Sequence, residues 1–558
     1  MQAVWKKAAF AKERGLFRAA TAADVTWHLC KLTCLSLDPS YHHSIYDSLT
    51  KVSKVDVFVS HSWSCPVWRK GLAVCHYLNL DSALASSFLA SIVAVSVLVL
   101  HAGSFSAVAL LPPGALLGWL LFWPLSVFFL MYLFGHVLAG KSFWFDHICV
   151  DQADLEIKSQ TLQAIPAFVA HSTEMLALWD ETYSQRLWCN YELAVHAKTA
   201  ERAEAITVVP TWMPLWTLCW FAMTASLCVF NVQAAVLDKE SRVSLLVSMI
   251  RNYVVPPYAF LFASVPLSWF SLEKLKRHKS MLDEMALFDF GNAKCTLETD
   301  RHEIEEQVLC LFDEALAPPI RVAFDGLEGS GVPKLEHMDG ADGVEGADVA
   351  LLAEAIHEIR HVTSYPSRGE VIQCFNAYVR GPLRDSVLKA MGNENQIPMK
   401  LSMVLSFPFW FTGLVSVFGC DGRTDCMTSA SAWGYTSVPQ YMAANAVWEL
   451  LVSPTFLMLV PPLMLRAGQF AEEAVSDQMW QLVLVSVLGA MIFWILDVFA
   501  TVQWGLFILA VAKPSPIWLA GAIFGFILLF GSIWLLYFSK DLPHSSQRSL
   551  ANCFRESM

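Results

Sequence analysis

Apolar residues fall along this chain in two patterns. Long runs occupy 83–100, 115–138, 213–236, 252–272, 401–419, 446–465 and 517–538, each near or above the ~18 to 20 residues that a helix needs to cross the hydrocarbon core. Glu449 alone breaks their lack of Asp, Glu, Lys and Arg. An eighth run, 482–511, is too long for one untilted span and carries Asp497, so it reads as a tilted or broken helix. The second pattern is short. Val55-Asp56-Val57-Phe58-Val59-Ser60 is a β-branched run that stops in the polar turn His61-Ser62-Trp63, the signature of a buried strand. Further on, Trp188-Cys189 supplies an apolar anchor, and Glu192 follows about one helical turn later. That spacing suits a pocket-facing carboxylate on a packed helix.

Composition agrees with the long runs. With 55% hydrophobic and 16% charged residues, 21 Trp and 36 Phe, the chain is too apolar for an ordinary soluble multidomain protein and reads as a multi-pass integral membrane protein. Lys6, Lys7, Lys12, Arg14 and Arg18 open the chain, whereas the turn 101–114 between the first two spans has no Lys or Arg. The positive-inside rule therefore puts the N terminus in the cytosol. Lys274, Lys276, Arg277 and Lys279 after the fourth span agree, as do Lys540, Arg548 and Arg555 after the last. Eight spans would leave both termini on that side. Met1 to Gly15 is charged and lacks the apolar centre of a cleavable signal peptide. A net charge of -12 argues against nucleic acid as a partner.

The strand at 55–60 and the segment Tyr183-Ser184-Gln185-Arg186-Leu187-Trp188-Cys189-Asn190-Tyr191-Glu192 together resemble the Toll/interleukin receptor (TIR) domain family. The resemblance covers 52–210 and implies a flavodoxin-like α/β domain with a parallel sheet. In family order, 143–146, 175–179 and 205–209 would be the next strands, and 66–80, 157–171 and 184–198 the helices. A membrane hairpin interrupts this domain between its first helix and second strand. Two departures stand out: the loop 147–155 has no Gly or Pro, and no fifth strand is evident before the next span. The resemblance implies intracellular signalling through TIR self-association, NAD(P) hydrolysis, or both. In members that cleave NAD, a Glu at the position of Glu192 supports loss of nicotinamide, and a fixed carboxylate suits the positive charge that develops on the ribose. Ser60, His61 and Trp63 at the first strand's end, with Asp146 and Ser184, are the companion residues expected to line a nucleotide site. The equal alternative is a TIR-like interaction module without catalysis.

Other motifs give weaker readings. Asp497 and Glu449 invite a channel or transporter reading, but they share one sign and no Lys or Arg lies within any span to offset them. His357-Glu358-Ile359-Arg360-His361 has the H-E-x-x-H spacing of a zinc metalloprotease. Arg360 sits beside the notional metal and no third ligand follows, so a solvated helical face is the expected reading, with no metal. The acidic stretch Asp339 to Asp348 lacks the ligand spacing of a calcium loop. Most of the 14 cysteines fall in cytosolic or membrane segments and should be reduced. Cys420 and Cys426, in the largest non-cytosolic loop, suit either a small disulfide ring or two free thiols.

The expected organisation is a cytosolic N-terminal segment, 1–51, then the TIR-like domain, 52–211, interrupted by a membrane hairpin at 83–138. A second hairpin, 212–272, leads to a cytosolic helical region, 273–400, holding a flexible Gly- and acid-rich linker at 326–348. Four spans at 401–538 and a tail, 539–558, complete the chain.

Overall fold

The structure, a computed structural model, describes residues 10–11, 13–34, 39–105, 107–108, 111–138, 140–199, 205–238, 245–295, 298–312, 368–419 and 426–538. The H-E-x-x-H residues His357, Glu358 and His361, the acidic linker, Cys420 and the tail lie outside them. Cys426 is disulfide-bonded.

The short apolar pattern forms one sheet of six strands: β1 (Arg18–Thr21), β2 (Thr50–Lys51), β3 (Val55–His61), β4 (Ser142–Trp144), β5 (Ser172–Trp179) and β6 (Ile206–Pro210). Their order across the sheet is β2-β1-β4-β3-β5-β6. β3 runs parallel to both neighbours, with Phe58 opposite Trp144 of β4 and Met175 of β5, and β5 runs parallel to β6. A strand with neighbours on both sides and helices over its faces should be apolar throughout. Val57, Phe58 and Val59 are accordingly buried, with the Phe58 ring stacked on Trp144 at 4.8 Å.

The first 51 residues are more than an appended segment. β1 pairs antiparallel with β4 and with β2, so the sheet grows on that edge by two strands. Ala20, Val25 and Leu29 enter the common core, and Phe17 stacks on Phe168. Region 273–400 joins the same core through Met281, Met285, Ile304, Val308, Phe375 and Val387. No fifth parallel strand follows β6 among the described residues.

The crossover helix expected at 66–80 and the span expected at 83–100 are one element, the helix Val67–Ala102 of 36 residues. At 1.5 Å per residue it is about 54 Å long; it has no Pro, and its one glycine, Gly71, lies in the first turns, well before the junction at 80–83. It starts just past the carboxyl end of β3, and the chain returns through Trp123–Phe134 to β4. The run at 482–511 is likewise unbroken, within helix Gln478–Ala512. Helix Leu245–Ala286 extends from the region of the fourth expected span into the sheet domain.

Among the described residues, six helices are long and apolar enough to cross a membrane: Val67–Ala102, Gly114–Val137, Met399–Phe418, Val438–Ala474, Gln478–Ala512 and Pro516–Tyr537. Their outer faces expose Leu89, Leu100, Ile517, Phe524, Ile527 and Phe530, an apolar surface that suits lipid rather than water. Neighbouring helices are joined by hydroxyl-to-carbonyl bonds, Ser87 to Pro124 at 2.7 Å and Ser264 to Ser486 at 2.9 Å, a common device where apolar packing alone gives little preference between helices and lipid.

Candidate functional site

Successive residues of a strand point to opposite faces, so Ser60 and His61 at the end of β3 serve two different clusters. Ser60 faces helix Leu187–Thr199. Its Oγ donates to Glu192 Oε2 at 2.6 Å and lies 2.7 Å from the Tyr183 hydroxyl. On the same helix, Cys189 is buried with its thiol 3.4 Å from the His61 carbonyl, while Trp188 is half-buried. The Trp-Cys pair thus supplies one core anchor rather than two.

Burial pushes the Glu192 carboxyl up to about 8, with the Ser60 hydrogen bond opposing and the Asp146 charge reinforcing that rise. Burial also lifts the Tyr183 hydroxyl and the Cys189 thiol well above their ordinary ranges, so neither ionises near neutrality.

His61 faces the other way, toward the short helix Asp146–Cys149 that follows β4. His61 Nε2 lies 2.6 Å from Asp146 Oδ1, and Trp63 Nε1 donates to Asp146 Oδ2 at 2.8 Å. Burial works to raise the Asp146 carboxyl, but the His61 imidazole, with His147 and Lys70 beyond it, holds it well below the usual carboxylate range. An ionised carboxylate only accepts, so the shared proton sits on His61 Nε2 and leaves the buried Nδ1 without a hydrogen bond. Trp63 is 51% exposed and stacks on the His147 ring at 4.2 Å, forming an aromatic lip. The absence of Gly and Pro at 147–155 now has a physical account: after β4 the backbone enters a helical turn, and Asp154 caps the next helix, Leu155–Ala170, by accepting from the Glu156 and Ile157 amides.

The loops after β3 and β5 are sewn together by hydroxyl groups. Thr182 Oγ1 lies 2.7 Å from both Ser62 Oγ and Ser64 Oγ, and donates to Asp180 Oδ1 at 2.9 Å. Of the residues expected to surround Glu192, the structure brings Ser60 into contact with it and groups His61, Trp63 and Asp146 as neighbours. Ser184 is turned away. Its Oγ donates to Glu284 Oε2 on helix Leu245–Ala286 at 3.1 Å, where Trp179 Nε1 also donates at 3.4 Å. Tyr183 and His147 are the residues that sequence reasoning passed over. Tyr183 stands within the quoted motif, whereas His147 is placed only by the helical turn after β4.

His61, Asp146 and His147 each offer a ligand atom within 4.8 Å of the others, a donor set that can take a divalent metal ion. The Lys70 ammonium, 3.5 Å from His147 Nε2, opposes a cation there. Two cavities lie nearby, one beside the loop that precedes the helix carrying Glu192 and one against that helix. One of about 700 Å³ lies between Ser184, Gln185 and Glu284, and another of about 330 Å³ between Trp188, Tyr191 and Gln307; Glu192 lines neither. The chain matches no family model, no curated protein and no solved structure.

Proposed function

We propose that this is a membrane-anchored, TIR-like signalling protein whose α/β domain works on the cytosolic side, cleaving the nicotinamide–ribose bond of NAD(P) with Glu192 and associating with other copies of itself. The observation that supports the reading most is the placement of Glu192 at the carboxyl end of β3, the rim where a parallel α/β sheet offers its ligand crevice, held there by Ser60 at 2.6 Å. In this reading Ser60 and Tyr183 position the carboxylate and Trp63 forms the wall against which a planar base lies. A carboxyl lifted to about 8 is largely neutral at neutral pH. A cationic nicotinamide ring beside it favours the charged form, which then stabilises the positive charge growing on the ribose as the bond to nitrogen breaks.

NAD and NADP consumption by the purified full-length chain, compared with Glu192→Ala, tests the catalytic part. Loss of at least a hundredfold in the variant is expected, as for removal of an electrostatic catalyst. A wild-type chain that consumes neither nucleotide overturns catalysis. It would leave the second reading, an interaction module in which Glu192 belongs to a structural network, a reading favoured by the absence of Glu192 from the lining of both cavities.

A further inference from the structure

Helix Gln478–Ala512 packs against the rest of the chain along only part of its circumference. Val485, Gly489, Phe493 and Gln503 are buried against neighbouring helices. Another face is uncovered. Val483, Val487 and Trp494 are 47%, 46% and 43% exposed, Ala490 and Asp497 are half-buried, and Thr501 is exposed. These six positions are spaced four, three, four, three and four residues apart, the repeat of a seam along which two helices pack side by side at a shallow angle. Two of the six are polar. Asp497 lies near the middle of the 35-residue helix, which places its carboxyl group deep in the membrane, and Thr501 follows one turn later. Among the described residues neither side chain has a hydrogen-bond or ion-pair partner.

An ionisable group in a membrane helix is costly to leave against lipid and ordinarily meets another protein group or water. Lipid tails offer Asp497 nothing, so whatever covers this face brings a hydrogen-bonding group to its depth. A second copy of the chain does so by symmetry. Copies inserted under the same charge rule share one orientation, and a two-fold axis along the membrane normal sets their like helices parallel and at equal height. In such a seam each side chain enters a hole formed by four residues of the facing helix, and the hole that receives Asp497 includes Thr501 of the second copy. A hydroxyl donates to a carboxyl group whether or not the latter is ionised, so the bond forms twice, once on each side of the axis. A foreign helix bearing a lone cation would satisfy Asp497 and leave Thr501 unused, whereas a second copy occupies both. Ala490, two turns before Asp497, lets the two backbones approach closely.

We propose that this face of helix Gln478–Ala512 is the interface between two copies of the chain within the membrane, joined by reciprocal hydrogen bonds from Thr501 of one copy to Asp497 of the other. The seam is separate from the α/β domain. It stands independently of activity at Glu192 and of any association through that domain.

The test uses the full-length chain, labelled at its amino terminus with a donor or an acceptor dye and reconstituted into phosphatidylcholine vesicles, with energy transfer followed as added lipid dilutes the protein. For the wild type, transfer above chance proximity that falls on dilution as a two-body equilibrium is expected. Asp497→Leu should weaken dimerisation about tenfold, the equivalent of ~1.4 kcal/mol. Because this change removes an unpartnered polar group from an apolar helix, folding is not endangered. Asp497→Asn still accepts from a hydroxyl and should dimerise as the wild type does. Ile495→Ala, on the same helix and 53% exposed but off the seam, should leave dimerisation unchanged. A wild type that stays monomeric at every protein-to-lipid ratio would overturn the interface. So would dimerisation undiminished in Asp497→Leu, which would assign association to the α/β domain alone, and so would an equal loss in Ile495→Ala.

Discussion

Ser60 Oγ lies 2.6 Å from Glu192 Oε2 and 2.7 Å from the Tyr183 hydroxyl, so a single serine on the central strand links the candidate carboxylate to the loop that precedes its own helix. Everything expected of Glu192 depends on that junction. The serine is one residue from His61, which the pleat turns toward Asp146 instead.

Glu192 should make stability depend on pH in a defined direction. Burial raises its carboxyl from the ordinary 4.5 to about 8, so the folded state holds the proton more tightly than the unfolded chain does. The associated stability is complete below the ordinary value and is lost as pH rises through the folded one. Between about pH 5 and pH 8 the wild-type Tm should therefore fall further than that of Glu192→Gln, whose amide does not titrate. The variant should be more stable at the upper end by several degrees. Thermal unfolding of both proteins across this window measures the difference, and parallel curves would show that the carboxyl is not held in a low-dielectric site.

Asp146 is the shared acceptor for two side chains, the His61 imidazole and the Trp63 indole. Asp146→Ala leaves the buried His61 ring without a partner at either nitrogen, which should cost about 1–3 kcal/mol. Trp63 loses its tether as well, so its fluorescence should shift toward that of a fully hydrated indole, with Trp63→Phe as the reference. Denaturant unfolding within ~0.5 kcal/mol of the wild type would mean that the His61–Asp146 pair contributes little.

The site was unevenly legible in the sequence. β3, β5 and β6 announce themselves because a strand buried on both faces must be nearly all apolar, and their observed bounds lie close to the expected ones. β1 and β2 do not, since Arg18–Thr21 and Thr50–Lys51 are short, carry Arg, Thr and Lys, and are strands through long-range pairing, β2 with β1 and β1 with β4. Ser60, His61, Trp63 and Asp146 follow from strand ends, which local pattern can place. The direction of Ser184 cannot be read locally, because its partner Glu284 is 100 residues away on a helix that rises from the membrane region. The fused helix Val67–Ala102 was hidden for a related reason. Polar residues up to Asp81 and apolar ones after it look like two elements, although no breaker separates them.

Glu284 gives that long helix a grip on the candidate site. It accepts from Ser184 at 3.1 Å, from Trp179 at 3.4 Å and from Ser280 at 3.3 Å, while Arg277 on the same helix pairs with Glu181 at 2.6 Å. Removing the carboxylate frees the loop on which Tyr183 and Ser184 sit. Glu284→Ala should accelerate amide hydrogen exchange at 180–187 by about tenfold or more, the effect of lowering the free energy of local opening by ~1.4 kcal/mol. The strands β3 and β5 should keep their protection. Unchanged exchange in the loop would show that the helix merely passes beside it.

Gly413 tests the packing of the membrane helices themselves. A Cβ added there would lie 2.6 Å from the Glu449 carbonyl oxygen and 3.1 Å from its carbonyl carbon, so the obstacle is main chain and cannot rotate away. Helix Met399–Phe418 would have to draw back from the neighbouring segment that carries Glu449, opening gaps along a tightly packed contact. Overpacking of this kind costs about 1–3 kcal/mol. Gly118 lies in another apolar segment with nothing within 4 Å of its added Cβ, and Gly118→Ala removes a helix-weakening glycine at no steric cost. In one detergent, Gly413→Ala should unfold at a clearly lower temperature than the wild type and Gly118→Ala at the same or a higher one. If both variants fell equally, the loss would come from replacing glycine in an apolar helix, and the close approach of Gly413 to Glu449 would not govern stability.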